Sequence, residues 1–288
     1  LTTPRLTAPD RGAAYDGERV VVEMQPLRLG HVGLSLEGQQ HFFYAKEGRW
    51  IETYLRADKA FIQLTGAKAT QGAGLEVKRL TGKAKIDDKD INVIVEEMRG
   101  GLNVTDASDT EPLPRVEVTA RLKNVALQGN LDLPLGPLIA WIDLDAGAKF
   151  PADVPEASNA TLFAEWRRTG TPIEIRRFEL EWGGISLAAS GTFKLDAQSL
   201  PEGRFQLKLG NHARILELLA EQGYVSKETQ LLAKKVLDVL AFMSGDEKRR
   251  VSVPLKIEKG EVYLGPARVA TLTPPTAQAQ LGPAELIP

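Results

Sequence analysis

Residues 115–123 read Arg-Val-Glu-Val-Thr-Ala-Arg-Leu-Lys, and this alternation of polar and apolar residues decides the fold class. The even-numbered residues from Val116 to Leu122 would lie on one face of a strand, and the charged residues on the other. An antiparallel sheet with one solvated face produces this pattern. The same pattern recurs in segments 185–195, 205–209, 251–257 and 262–264. This recurrence indicates that strands dominate the chain.

The alternation changes phase within two predicted strands. Ile173 and Ile175 have one parity and Phe178 and Leu180 the other, and a similar change lies across Asp58-Lys59. Because a slip of one residue turns every side chain over, an extra residue must be absorbed at each point. A β-bulge within one bent strand and a short kink between two separate strands explain the pattern equally well.

Helical periodicity is confined to three segments. Asn211 is a suitable N-cap for a helix that ends near Gly223, and Ser226 for a second helix that ends near Ser244. These two predict an αα-hairpin, and a shorter helix is expected over about residues 158–169. The predicted class is α+β and mainly β: a long curved antiparallel sheet with a helical hairpin near the C-terminus and one short helix.

Proline-rich and glycine-rich stretches limit the part that is expected to fold regularly. Residues 1–18 and 273–288 lack periodicity and are expected to be irregular. Residues 19–272 are predicted to form a single β-rich domain. Two halves, at about 19–110 and 111–272, are the alternative division.

The composition excludes several classes of function. The chain has 288 residues, 0 Cys, 3 His, 36 Lys plus Arg and 38 Asp plus Glu. Without cysteine there is no disulfide, thiolate nucleophile or Cys-ligated metal. The net charge of −2 disfavours a general nucleic-acid binder. No apolar run approaches the roughly 20 residues of a membrane helix. The chain begins with Leu1, which is consistent with an N-terminal signal or anchor that has been removed.

The sequence carries no catalytic motif such as a P-loop, HExxH or GxSxG. Asp143 and Asp145 share one parity and could form a carboxylate pair, but an outward polar face is the favoured interpretation. His41 and His212 are expected to have structural roles. We therefore expect no enzymatic activity, no cofactor and no metal site.

An ordered series of short elements runs from Trp166 onward. The elements are Trp166-Arg-Arg-Thr-Gly170, Glu181-Trp-Gly183, Gly191-Thr-Phe-Lys-Leu-Asp196, Pro201-Glu-Gly203, Val253-Pro-Leu255 and Gly260-Glu-Val-Tyr-Leu-Gly-Pro266. In this order they resemble a bacterial family catalogued as domain of unknown function 2125 (DUF2125). The resemblance implies an alphaproteobacterial envelope protein, held by an N-terminal signal or membrane anchor, with most of its chain in the periplasm. Such proteins are similar in strand pattern to the AsmA-like group, whose curved sheets are thought to offer an apolar groove to lipids.

These features together predict a non-catalytic periplasmic protein, anchored to the inner membrane, that binds a lipid or other amphiphile in an apolar groove of its sheet. The candidate groove residues are Trp182, Phe193, Leu195, Phe205, Leu207, Leu218, Leu219, Val236 and Leu240. Simple core packing is the competing interpretation for each of them. The alternative function is a cell-envelope scaffold or assembly factor that binds another protein through a sheet edge.

Overall fold

Strands make up most of the described chain. The computed structural model describes residues 2–8, 12–25, 28–46, 49–67, 70–86, 89–109, 113–129, 131, 133–149, 168–196, 200–221, 230–231, 234–235, 237–239, 250–265 and 267–272. The strands are β1 (Arg5–Ala8), β2 (Ala13–Gln25), β3 (Arg28–Lys46), β4 (Arg49–Arg56), β5 (Lys59–Ala67), β6 (Thr70–Ile86), β7 (Lys89–Thr105), β8 (Arg115–Gly129), β9 (Leu138–Lys149), β10 (Ile173–Trp182), β11 (Ile185–Leu195), β12 (Pro201–Gly210), β13 (Val251–Glu258), β14 (Glu261–Leu264) and β15 (Ala267–Thr271). A helix, α1 (His212–Glu221), lies between β12 and β13. The predicted antiparallel, mainly β class is confirmed.

The chain divides into two compact units. Unit 1 comprises residues 1–105, 117–144 and 180–183, and unit 2 comprises residues 106–116, 145–179 and 184–288. The first boundary lies close to the division at 110/111 considered from the sequence. After this boundary the chain alternates between the two units several times. A division at one point of the sequence therefore cannot describe the units.

Unit 1 is built from antiparallel neighbours. β1, β2 and β3 are adjacent in that order, as are β6, β7, β8 and β9. β4 and β5 lie end to end between β3 and β6. Residues 39–46 of β3 pair with β4, and residues 31–35 of the same strand pair with β5.

The change of phase at Asp58-Lys59 marks a gap between two strands, as one of the two interpretations predicted. β4 ends at Arg56 and β5 begins at Lys59. The pairing with β3 shifts by one residue across the gap, so the apolar side chains change parity. In contrast, β10 runs unbroken through Arg176-Arg177. The other interpretation, one continuous strand, is therefore correct at this position.

Other strands of unit 1 are irregular at the level of Asp58. The pairing of β2 with β3 shifts next to Gly17, and Gly38 on β3 has a φ of +75°, a left-handed conformation that glycine adopts readily. On β6, Arg79 has a φ of +48° and forms an ion pair with Asp58. We call this level the register break.

The expectation of an irregular segment over residues 1–18 is wrong for the residues that the structure describes. β1 pairs with residues 13–16 of β2, and Gly12 lies between the two strands with a φ of +61°. Pro4 and Pro9 lie just outside β1 in the sequence. Proline at the end of a short terminal strand removes no ladder hydrogen bond, so the composition was a poor guide here. The predicted irregular tail, 273–288, lies outside the described residues.

Unit 2 contains the strands that the sequence predicted most closely. β11, β12, β13, β14 and β15 are adjacent in that order and antiparallel. The predicted hairpin between β13 and β14 is confirmed. Its turn residues Lys259 and Gly260 have φ values of +51° and +77°, as a type I′ turn requires.

All three segments predicted to be helical belong to unit 2. The helix predicted after Asn211 is α1, which ends at Glu221. Residues 230–231, 234–235 and 237–239 of the second predicted helix are helical, and its other residues lie outside the described ones. Of the predicted helix 158–169, only residues 168–169 are described, and both are helical.

Candidate functional site

Four of the predicted groove residues share one face of unit 2. Directly opposed residues of antiparallel strands point to the same side of a sheet. Phe193 and Leu195 on β11 have the same parity as Gly191, which is opposite Phe205 on β12. Leu207 follows Phe205 on that side. The rings of Phe193 and Phe205 have centroids 6.2 Å apart.

One end of this face is covered. Val251 is fully buried and Val253 is 8% exposed, and both pack against Leu237 and Leu264. Leu216 of α1 is also buried. This end is therefore a packed core, as the competing interpretation proposed for such residues.

The remaining groove candidates fall in different places. Leu195 is buried at 9% exposure, whereas Phe193, Phe205, Leu207 and Leu218 are half-buried. The structure leaves those four partly accessible beside the core.

Trp182, at the end of β10, belongs to unit 1 and is half-buried. Its indole Nε1 donates a hydrogen bond to the Gly136 carbonyl oxygen over 2.8 Å. The side chain of Leu219, together with Val236 and Leu240, lies outside the described residues. The groove in unit 2 stays a prediction for these three.

A larger apolar surface, which the sequence analysis did not single out, lies in unit 1. Its rows cross β2, β3, β5, β6 and β7 on the side of the register break that contains β5. We call it the unit 1 apolar face; its residues are Val20, Val22, Met24, Val32, Leu34, Leu36, Ala60, Ile62, Leu64, Ala73, Leu75, Val77, Met98 and Leu102.

The pairing of the strands brings these residues into continuous rows. Val22 is opposite Leu34, which is opposite Ile62, which in turn is opposite Leu75. With neighbouring strands about 4.8 Å apart, five strands give a face about 19 Å wide. Each strand contributes two or three alternate residues to it.

Much of this face is accessible to solvent. Met24 is 70% exposed, Val22 46%, Leu102 43% and Leu64 41%. Only next to the register break, at Val77, does exposure fall to 4%. Isolated exposed apolar residues are ordinary, but a contiguous apolar area of this width marks an interaction surface.

The opposite side of the same strands is polar. Lys59 Nζ lies 2.6 Å from Glu76 Oε2, and Arg19 lies 2.9 Å from Glu37. Gln63, the neighbour of Leu64, is exposed on this side. This part of unit 1 therefore has one face that is suited to water and one that is not.

Two ion pairs of unit 1 predict how stability depends on pH. The hydrogen bond from Lys59 lowers the pKa of Glu76 below its usual 4.5, and the hydrogen bond from Lys123 does the same for the pKa of Glu96. A carboxyl whose pKa is lower in the folded state stabilises the fold fully above its unfolded pKa, and loses that contribution as the pH falls through the folded value.

We therefore expect the melting temperature to fall as the pH is lowered from about 5 to about 3. Glu76→Gln should lower the melting temperature at pH 7 and make its decrease below pH 5 smaller, because one of the titrating pairs is gone. Thermal unfolding followed by circular dichroism at several pH values measures both effects. A melting temperature that stays constant over this range would contradict the assignment.

The two candidate carboxylates each pair with an arginine, and the outward position that was favoured is wrong for Asp143. Asp143 is buried at 5% exposure, and Arg121 Nη2 lies 2.8 Å from its carboxylate. Arg176 Nε donates to Asp145 Oδ1 over 2.9 Å. Each carboxylate is held by an arginine of another strand, so the pattern reflects ion pairing between strands, with only the Asp143 side chain buried.

The histidines make structural contacts. The ring of His41 stacks on Tyr54 with centroids 4.3 Å apart, and its Nε2 lies 3.0 Å from Glu52 Oε1. His212 Nε2 lies 2.7 Å from Asp238 Oδ1. Within the described residues, no three His, Asp or Glu side chains are grouped as metal ligands. No helix in that part of the chain is long and apolar enough to cross a membrane.

These features define a class of protein: an antiparallel β protein that keeps one side of its strands polar and leaves apolar surface accessible on the other. The chain belongs to a bacterial family, because the family model described as "Uncharacterized protein conserved in bacteria (DUF2125)" matches residues 1–273. The match extends the resemblance seen from Trp166 onward over unit 1 as well. No curated protein and no solved structure matches the chain.

Proposed function

We propose that this protein is a non-catalytic binder of lipids or other amphiphiles in the bacterial cell envelope. The exposed unit 1 apolar face carries the proposal. Acyl chains are flexible apolar groups that can lie along rows of Val, Leu and Ile side chains without specific hydrogen bonds. Their burial there removes apolar surface of both partners from water, which is the driving force for binding.

The half-buried residues Phe193, Phe205, Leu207 and Leu218 of unit 2 offer a second, smaller apolar area. We propose it as a second site that is independent of the first. The unit 1 apolar face is the principal site of the proposal because its residues include four that are more than 40% exposed.

The periplasmic location is a separate part of the proposal and is supported by the family resemblance. It is tested by fractionation of cells that produce the full natural protein with a C-terminal tag. Recovery of the protein in the cytoplasmic fraction would contradict it, without affecting the proposed binding of amphiphiles.

Binding should depend on the length of the apolar chain. We expect dodecyl, tetradecyl and hexadecyl phosphocholine, each kept below its critical micelle concentration, to bind progressively more tightly. A buried methylene contributes about 0.8 kcal/mol, which corresponds to at most about a fourfold decrease in Kd per carbon. The headgroup is the same in all three, so the increment reports on chain burial alone.

Isothermal titration calorimetry measures this series, and native mass spectrometry of protein purified without detergent shows whether lipid is retained. Affinities that do not change with chain length, or the absence of binding by all three compounds, would contradict the proposal.

The alternative, a scaffold that recruits a protein by strand addition, is less well supported. The strands at the ends of the described pairing are short: β1 has four residues and β15 has five. Short terminal strands offer few main-chain hydrogen bonds to a partner, a common way of avoiding such pairing. Cross-linking followed by isolation of one stoichiometric protein partner would favour this alternative.

A further inference from the structure

A hollow of about 670 Å³ lies over β4, β6 and β7 in unit 1, on the other side of the register break from β5. Two adjacent rows of opposed residues form it. One row is Arg56, Thr81 and Ile94, and the next is Tyr54, Lys83 and Asn92. The volume is within the range of small-molecule sites, about 300–1,000 Å³.

The charged side chains that line the hollow are positive, and the Glu52 carboxylate accepts a hydrogen bond from the lining residue Tyr54 over 2.8 Å. Arg56 and Lys83 both line it, and no carboxylate does among the described residues. Neither cation forms an ion pair within the described part of the chain, whereas Arg79 is paired with Asp58 close by. Lys83 is two residues from Thr81, the residue opposite Arg56, so the two cations are diagonal neighbours about 7–8 Å apart at the backbone. An anion between them would relieve their repulsion.

Uncharged hydrogen-bonding groups surround these cations. The carboxamides of Gln39, Asn92 and Gln128 also line the hollow, and none has a hydrogen bond to another described residue. A carboxamide both donates and accepts, so it can bind a ligand hydroxyl in either sense.

We propose that this hollow binds a phosphate ester of a polyol. The phosphate lies between the Arg56 guanidinium, whose planar donors match its oxygens, and the Lys83 ammonium. The hydroxyls of the polyol bind the carboxamides of Gln39 and Asn92. The volume exceeds what a phosphate alone would fill, which is why the ligand includes the polyol.

This inference does not rest on the proposed function, because the hollow shares no lining residue with the unit 1 apolar face. A phosphate ester can be a soluble metabolite or the headgroup of a lipid, and the test has one arm for each source.

The experiment is calorimetric titration of the full chain at low ionic strength. The ligands are glycerol 1-phosphate, inorganic phosphate, and phosphatidylcholine vesicles with and without phosphatidylglycerol. We expect saturable binding of glycerol 1-phosphate or of the vesicles that contain phosphatidylglycerol, weakened by added salt. Arg56→Gln and Lys83→Gln should each weaken it about tenfold or more.

Lys85→Gln is the matched control. Lys85 has the same strand, face and charge as Lys83, but it lies 5.2 Å from the Trp50 ring centroid and outside the hollow. We expect this control to change the affinity less than about twofold.

Binding of glycerol 1-phosphate would show that a soluble phosphate ester can occupy the site. Binding only of the vesicles that contain phosphatidylglycerol would show that the ligand is a lipid headgroup. Both results support the site. Three results would overturn the proposal. They are no saturable binding of any ligand, an equal loss in Lys85→Gln, or inorganic phosphate binding as tightly as the ester.

Discussion

Val251→Asp is expected to unfold unit 2 or to lower its free energy of unfolding by more than about 4 kcal/mol. Val251 is 0% exposed and is the centre of the cluster with Val253, Leu237 and Leu264. A carboxylate at this position would be removed from water among apolar groups that offer it no partner. The protein must then either protonate the carboxylate or expose it by opening the sheet.

The adjacent residue provides a control with the same change of charge. Ser252 is exposed on the opposite side of β13, and its hydroxyl accepts a hydrogen bond from Gln206 Nε2 over 2.8 Å. An aspartate can also accept that hydrogen bond, so Ser252→Asp should change stability by no more than about 0.5 kcal/mol.

Hydrogen exchange of the β12, β13 and β14 amides, together with urea unfolding, measures the two effects. Hydrogen exchange is needed because two compact units need not unfold in one transition. If Val251→Asp and Ser252→Asp had the same effect, the cluster around Val251 would not be the core of unit 2.

The strands of unit 2 could be predicted because their determinants are local. The alternation over 185–195 gave β11 with the bounds that the structure has. The turn at Lys259-Gly260 requires positive φ at both residues, and glycine next to a residue that tolerates this conformation is a signal within the turn itself. Nothing distant is needed to recognise such a hairpin.

The unit 1 apolar face was missed for the opposite reason. Val20, Val22 and Met24, or Ala60, Ile62 and Leu64, each read as an ordinary half-buried strand when taken alone. Only the pairing shows that they form one surface, and that pairing depends on contacts between strands far apart in the sequence. β5 and β4 pair with successive parts of β3. The sequence of neither strand by itself predicts this arrangement.

The ion pair of Asp143 shows the same limit. An aspartate on a strand is usually exposed, so the alternation predicted an outward residue. Its partner, Arg121, lies on β8, and no spacing rule connects the two positions. The sequence therefore predicted the strand correctly and the environment of its carboxylate incorrectly.

Leu64→Glu is expected to weaken the binding of hexadecyl phosphocholine at least about tenfold while the protein stays folded. Leu64 is 41% exposed in the unit 1 apolar face, so a charge there can remain in water in the free protein. It loses that water only when an acyl chain covers the face. The cost is therefore paid in binding and much less in folding, which separates a binding surface from a core.

Gln63→Glu is the control, because it adds the same charge one residue away on the polar side of β5. We expect it to leave the affinity within about twofold, since a charge among water and polar groups meets no acyl chain. The increase in affinity from dodecyl to hexadecyl phosphocholine should be smaller in Leu64→Glu alone, because only that variant disturbs the contact with the acyl chain.

Equal losses in both variants would indicate a general electrostatic effect on the amphiphile, and unchanged binding in both would place the acyl chain elsewhere. A selective loss in Leu64→Glu requires the ligand to lie on the apolar side of the strand, because the two variants place the same charge on neighbouring residues that face opposite sides.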